Sequence, residues 1–477
     1  MHCVTRFAPS PTGFLHLGNA RTALINFLYT KQQKGTFLLR IDDTDTTRCQ
    51  IKFLRSIFQD LSWLELHWDK VFNQLEKKDR YQSVLNALKK EGVIYPCYET
   101  KEELENKRIN QMQMGMPPMY NREALLLTQN QIKQFEQLGR LPHYRLLLDH
   151  STTISWKDLI KGDIKFAGKD LNDPVVFRED GAITYLLSSV IDDVDMNVTD
   201  IIRGEDHVSN TAIQIQLFKA LNAKIPNFGH LSLLQTSEGK ISKREGGGEL
   251  MVMRKDFHPM AINSLMMRLG TSQPVEIYDN MQDLVQNFDI STYSRAQTRY
   301  NENELRRTNA KLLRSMQYES VQTLPIITTD IQEDIPYRAN NVISELQCAK
   351  TVSNFSSSQA FPNLTQELWN KIRENVQGIA EIDLWCKILK EDPVLDKDDL
   401  DITYLALAAK TLPQIIDENT ASIWMTKLAE LTNKKSKDLF LPIRLALTGL
   451  HHGPTISDLL LVLKRETVIK RLTQIAP

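Results

Sequence analysis

The N-terminal stretch alternates short β-like runs with amphipathic helical ones, and no other feature of the chain limits the fold as strongly. Val4–Phe7 (VTRF) reads as a strand and the Pro/Ser/Gly stretch behind it as a loop, after which Ala20, Leu24, Phe27 and Leu28 recur at helical spacing. A second apolar run over residues 37–41 ends in the acidic turn Asp42-Asp43-Thr44-Asp45, and Ile51, Leu54, Ile57, Phe58 and Leu61 then mark another amphipathic helix. Strand, loop, helix, strand, helix is the pattern of a parallel α/β sheet.

At 477 residues the chain exceeds what a single core supports, so several domains are expected. Around Tyr95 the alternation gives way to short mixed patterns (MGMPPMY, LPHYRLLL, GDIKFAG), which predict an inserted α+β module running to about residue 176. From Ile183 the α/β pattern returns, with a strand over 198–202 ending at Arg203 and another over 231–234 ending before SEGKISKREGGG. Beyond about residue 260 the periodicity is almost wholly helical, as in Leu439, Ile443, Leu447 and Leu450. The expected divisions are 1–82 and 183–250 for the two halves of the α/β unit, 83–182 for the insertion, and 251–322 and 323–477 for two helical domains.

Apolar content of 42% and charged content of 25% are ordinary for a globular protein, and no apolar run approaches the roughly 20 residues that cross a bilayer. The start MHCVTRFAPSPTG has no signal-peptide core, so no membrane association and a cytoplasmic location are expected. Cys3, Cys49, Cys97, Cys348 and Cys386 are scattered, odd in number and without close pairs, which predicts reduced thiols. A net charge of −1 means that any polyanion must be met by local basic patches. Arg306, Arg307, Lys311 and Arg314 at helical spacing, and the run Lys434, Lys435, Lys437, are candidates to touch RNA phosphates; each is equally well a solvated face.

Two short motifs carry chemistry. The loop from Pro9 and Ser10 through Thr12, His16, Gly18 and Asn19 follows the first strand and opens a helix, where free backbone N–H groups and the helix dipole can meet phosphate. His16 could donate a hydrogen bond to a nucleotide, and Gly18 would let backbone approach without a Cβ. Far along the chain, Lys240-Ile241-Ser242-Lys243-Arg244 places cations where charge develops on a leaving pyrophosphate. Either string alone is an ordinary turn or solvated loop.

Together and in this order, His16-Leu17-Gly18 and Lys240-Ile241-Ser242-Lys243 resemble the two signatures of class I aminoacyl-tRNA synthetases. TRFAPSPTGFLHLGNARTAL, RIDDTD, TYLLSSVIDDVDMNVTDIIRGEDHVSNT, HLSLLQTSEGKISKR and DLFLPIRLALTGLHHGPTISDLL narrow the resemblance to glutamyl-tRNA synthetase of the bacterial type, across nearly the whole chain. The resemblance implies a Rossmann-type catalytic domain, an acceptor-binding insertion (83–182), a helical stem-contact domain (251–322) and an all-α anticodon-binding domain (323–477). It implies a monomer that uses ATP with Mg2+ to join L-glutamate to tRNA(Glu), and in some relatives to tRNA(Gln), with activation typically requiring bound tRNA. Catalysis would fall to His16, Lys240 and Lys243. ATP would be bound by Pro9, Ser10, His16, Gly18, Asn19, Asp206, Leu234, Lys240, Ser242 and Lys243.

Arg6, Ala8, Ser10, Asp42, Tyr185 and Arg203 would hold glutamate. Arg6 would take its side-chain carboxylate, and Asp42, where the family usually has glutamate, its ammonium. Asp206 and His207 fall where the family meets the nucleotide or the tRNA end. Asp43 and Asp45 read as caps of the next helix. Some relatives hold zinc in the insertion through clustered cysteines and a histidine; Cys97 has no cysteine neighbour, so no zinc is expected. The long helical C-terminus favours aminoacylation over the tRNA-modifying relatives, which lack it. The competing readings are another nucleotidyl-transfer enzyme on the same sheet and a catalytically silent RNA-binding paralogue.

Overall fold

The computed structural model describes residues 2–236, 239–240, 248–324, 335–349, 361–393, 395, 400–435 and 437–474. Its N-terminal unit begins with β1 (Val4–Phe7), α1 (Leu17–Gln32), β2 (Thr36–Ile41), α2 (Ile51–Trp63), β3 (Lys70–Asn73) and α3 (Lys78–Lys90). The three strands pair in parallel in the order β1-β2-β3. Helix α1 turns Ala20, Leu24 and Leu28 into the core, where each fully buried leucine contributes about 2 kcal/mol of apolar transfer energy.

The insertion follows: β4 (Ile94–Cys97), α4 (Lys101–Gln113), α5 (Gln129–Gln137), β5 (His143–Leu146), β6 (Thr153–Asp158), β7 (Gly162–Ala167) and β8 (Val175–Phe177). Here pairing is antiparallel, as a β4-β5-β8 sheet and a β6-β7 hairpin. The expected α+β character is what the residues adopt. The parallel pattern resumes with α6 (Tyr185–Asp195), β9 (Asp200–Gly204), α7 (Val208–Ala220) and β10 (Asn227–Leu231), β9 and β10 being parallel. The two parallel groups meet where Thr199 N donates to Val4 O at 2.9 Å.

Two strand boundaries depart from the sequence reading. The strand expected over 198–202 is β9, two residues later, because Asn197 at φ 54 closes α6 and Val198 N is spent on Asp193 O. Arg203 therefore lies within the strand. The run expected over 231–234 divides between β10, ending at Leu231, and β11 (Leu234–Thr236), which pairs with β12 (Gly239–Lys240) and β13 (Thr298–Arg299). Between them Ser232 bonds the Thr298 hydroxyl (2.6 Å) and its carbonyl accepts from Arg21 (2.7 Å), which turns the chain from one ladder to the next. The two-residue β13 is the departure from a stretch read as almost wholly helical, without a strand series.

Helices α8 (Leu250–Met253), α9 (Pro259–Arg268), α10 (Met281–Gln286) and α11 (Glu302–Ser315) follow, and the core of the first strands runs on into α9 and α11. His258 caps α9: Nδ1 accepts from Met260 N at 3.1 Å, and burial pushes the imidazole down to about 4. Below pH 6.5 the unfolded chain takes up a proton that the folded state refuses until about pH 4, so stability falls as pH drops across that window. His258→Asn keeps a capping acceptor without the titration. It is expected to remove about 2 kcal/mol of the loss between pH 7 and pH 5, read from urea unfolding at each pH.

The remaining helices are α12 (Tyr318–Gln322), α13 (Ala339–Ala349), α14 (Gln366–Ile372), α15 (Ile379–Lys390), α16 (Ile402–Thr411), α17 (Thr420–Thr432), α18 (Lys437–Thr448), α19 (Ile456–Val462) and α20 (Arg465–Thr473). Most build a second core around Trp369 and Trp424. Helix α13 instead packs on α2: Val342 and Leu346 join the N-terminal core, Arg55 pairs with Glu345 (2.6 Å), and the Tyr337 hydroxyl donates to Asp43 (2.9 Å). Among the described residues no helix is long and apolar enough to cross a membrane.

Candidate active site

Parallel strands deliver the side chains of the site. Register places Arg6 of β1 beside Leu38 of β2, and Arg40 and Asp42 project on the same face as Leu38 because alternate strand residues share a face. Helix α6 brings Asp192 and Asp193 against them. Arg6 Nε donates to Asp193 (3.1 Å), and Arg40 reaches the same carboxylate oxygen (2.8 Å) while gripping Asp42 through two bonds (2.6 and 3.2 Å). Burial disfavours the Arg40 cation, but Asp42, Asp193 and Asp192 outweigh it and hold the guanidinium well above its ordinary range. The result is a buried chain, Arg6–Asp193–Arg40–Asp42, in which each acid is paired with a protein cation, while burial still pushes the Asp42 carboxyl up to about 6.

Arg203, on β9, is held differently. Its guanidinium donates to the Tyr185 hydroxyl (3.2 Å), Thr211 Oγ1 (2.6 Å), Gln214 Oε1 (2.6 Å) and His207 O (3.5 Å). Burial pushes Arg203 down, and burial together with the nearby Arg203 charge pushes His207 down to about 4, so that imidazole is neutral.

At the end of β1 the loop turns into α1 with His16 as its N-cap. Nδ1 of His16 accepts from Gly18 N at 3.1 Å, and Asn19 Oδ1 accepts from His16 N at 3.2 Å. An imidazole accepting at Nδ1 carries its proton on Nε2, so His16 is both a structural cap and a donor by way of Nε2. A Cβ on Gly18 would stand 2.9 Å from the His16 ring, so glycine here makes room for the imidazole. The expectation of free amides for phosphate at this helix start is corrected: Leu17 N donates to Gly248 O (3.0 Å) and Gly18 N is taken by His16. Capping satisfies these amides within the chain, and the helix dipole remains.

Arg6, Ala8, Pro9, Ser10, His16, Gly18, Asn19, Asp42, Tyr185, Arg203, Asp206 and Leu234 all line one cleft of about 850 Å³. The Lys240 side chain, Ser242 and Lys243 lie outside the described residues. Their described neighbours sit at this cleft: Leu234 lines it, Lys240 pairs in register with Gln235, and Glu249 bridges to His16.

Sequence reasoning missed Arg40, Asp193 and Gln214. A lone arginine inside the apolar run TFLLRI, and paired acids inside VIDDVD, are the signals that mark buried charges needing partners. The reading of Asp43 and Asp45 as caps of α2 is also corrected. Gln50 holds that cap position, Asp43 accepts from Leu75 N (2.8 Å), and Asp45 binds Thr47 (2.6 Å) and Arg48 (2.7 Å), because β2 ends too far from α2 for either to reach it. Of the basic candidates, Arg306 is engaged with Glu302 (2.6 Å) and Asp256 (3.1 Å), and Lys434 with Asp401 (3.0 Å).

In the insertion, Cys97, Glu99 and His143 bring three potential ligand atoms within 4.8 Å of one another, an arrangement the sequence spacing did not reveal. The Tyr120 hydroxyl donates to Glu99 (2.7 Å) and lies 3.5 Å from Cys97 Sγ, while burial pushes that thiol up to about 11.

Residues 2–307 match the family described as class I tRNA synthetases (E and Q), catalytic domain, and residues 359–476 match the anticodon binding domain family. The chain is 44% identical to glutamate–tRNA ligase 1 of Wolbachia pipientis subsp. Culex pipiens, across 99% of this chain and 98% of that protein. It is also 44% identical to glutamate–tRNA ligase 1 of Rickettsia akari, across 98% and 99%. The crystal structure of a glutamate tRNA ligase from Elizabethkingia meningosepticum in complex with its amino acid shares the fold, with a TM-score of 0.76 at 23% identity over 100% of this chain and 99% of that one. The α/β sheet with its capped first helix, the cleft at the strand ends and the helical C-terminal half thus have one origin: the chain belongs to the class I tRNA synthetases of the glutamate and glutamine group.

Proposed function

We propose that this enzyme joins L-glutamate to the 3′ end of tRNA(Glu) by way of a glutamyl adenylate, acting as a cytoplasmic monomer. The observation that carries the reading is the convergence, in one cleft, of buried guanidinium groups from two parallel strands with the His16 cap of the first helix. Arg203 and the fork of Arg6 receive the glutamate side-chain carboxylate, and Asp42 the ammonium. A site built for a carboxylate rejects glutamine's amide because its positive charge would stay unmatched.

The α-carboxylate oxygen then attacks the α-phosphorus of ATP as the bond to pyrophosphate breaks. Pro9, Ser10, Asn19, Asp206 and Leu234 position the nucleotide, and Nε2–H of His16 donates to it. Lys240, Ser242 and Lys243 meet the charge growing on the pyrophosphate. Magnesium carried by ATP neutralises phosphate charge when bound. In the second step the ribose 2′ hydroxyl of the terminal adenosine attacks the glutamyl carbonyl carbon and AMP leaves. No side-chain nucleophile is required, so rate comes from alignment and charge stabilisation. Residues 83–182 receive the acceptor end, 251–322 the stem and 323–477 the anticodon.

Charging assays with separately purified tRNAs test this reading. Glutamate is expected to accumulate on tRNA(Glu), with initial rates at least about tenfold above those on tRNA(Gln), as a selective contact worth about 1.4 kcal/mol would give. Equal charging of both would identify a non-discriminating enzyme, and none on either would mark a silent paralogue.

A further inference from the structure

The three buried guanidinium groups at the strand ends are not equivalent. Arg6 is paired with Asp193, and Arg40 with Asp42 and Asp193, whereas every oxygen that holds Arg203 is uncharged. Gln214, on α7 and 1% exposed, makes one of the two shortest of these contacts at 2.6 Å. Its amide is itself oriented: Nε2 donates to Ser189 Oγ at 2.8 Å, which turns Oε1 toward the guanidinium. A glutamate side chain has the same shape and would reach the same place, but as a carboxylate it would form a buried ion pair with Arg203 and cancel its charge.

We infer that Gln214 is a positioning and specificity-determining residue, whose amide aims Arg203 at the substrate's side-chain carboxylate while leaving the guanidinium's charge unspent. The inference rests on the reading of Arg203 as a partner of that carboxylate. Charge and orientation are normally supplied together by an acid, as Asp193 does for Arg6. Here orientation is supplied alone, so the anion that satisfies Arg203 is the one that enters the cleft. An enzyme that must distinguish a carboxylate from an amide gains from a cation that no acid contacts, Asp193 acting on Arg203 only through space, because the wrong ligand then leaves a buried charge without a partner.

The test uses the full chain in tRNA-supported ATP–pyrophosphate exchange, with Gln214→Glu, Gln214→Met and Arg203→Gln. Gln214→Glu is expected to raise the KM for glutamate about 50-fold, to change kcat and the KM for ATP by less than about threefold, and to leave the melting temperature unchanged or higher, since a new ion pair forms. Gln214→Met loses the hydrogen bond without adding charge and is expected to raise that KM only about fivefold. The inference is overturned if Gln214→Glu leaves the KM for glutamate near the native value, if Gln214→Met is as damaging as Gln214→Glu, or if Gln214→Glu lowers the melting temperature by more than about 5 °C, as a purely structural amide would. Arg203→Gln separates the two levels. If it leaves glutamate binding intact, the carboxylate reading of Arg203 fails; if it abolishes binding while Gln214→Glu does nothing, the role given to Gln214 fails alone.

Discussion

Arg40→Met is expected to cost about 3–5 kcal/mol of stability, because removing one partner of a buried ion network leaves its acids without compensation. Arg40 is 1% exposed and is the common partner of Asp42 and Asp193, with Asp192 at 3.9 Å. Methionine fills much of the volume, so the loss isolates charge from packing. Denaturant unfolding at pH 7 measures it, and adding Asp42→Asn should recover part of the deficit by deleting one stranded carboxylate. A cost under about 1 kcal/mol would mean that water or Arg6 compensates these acids, contrary to the buried geometry.

Lys243→Ala should lower the turnover of adenylate formation by about 10²–10³ and leave the KM for ATP within about threefold, as removing a group that acts mainly on transition-state charge does. Of the described residues flanking Lys243, Lys240 pairs with Gln235, next to the cleft-lining Leu234, and Gly248 O accepts from Leu17 N of the first motif at the start of α1. Pyrophosphate exchange in the presence of tRNA gives both parameters. Equal losses in turnover and ATP affinity would make Lys243 a ground-state binder instead.

What could be read in advance followed local pattern. Strand β1 was legible to the residue because a short β-like run stops just before the Pro/Ser/Gly loop at Pro9, and the α+β insertion was legible because the alternation breaks off near Tyr95. Strand β9 was misplaced by two residues because a left-handed Asn197 has no hydrophobic signature. The cleft residues were found through the resemblance, which names positions but not partners. That Arg6 and Arg40 share Asp193, or that His16 spends Nδ1 on Gly18, depends on which elements the sheet brings side by side. The trio Cys97, Glu99 and His143 was invisible for the same reason, two antiparallel strands having joined segments far apart in sequence.

The docking of α13 on α2 bears on how this molecule could be divided. Residues 335–349 lie, by position, within the C-terminal part of the chain, yet Val342 and Leu346 complete the interior of the first unit and Tyr337 closes over Asp43, next to the cleft-lining Asp42. A fragment trimmed after residue 322 would lose a wall of its own interior and should expose a greasy strip along α2 to other chains. Any free-standing version of the N-terminal half needs either this helix retained or polar replacements beneath it.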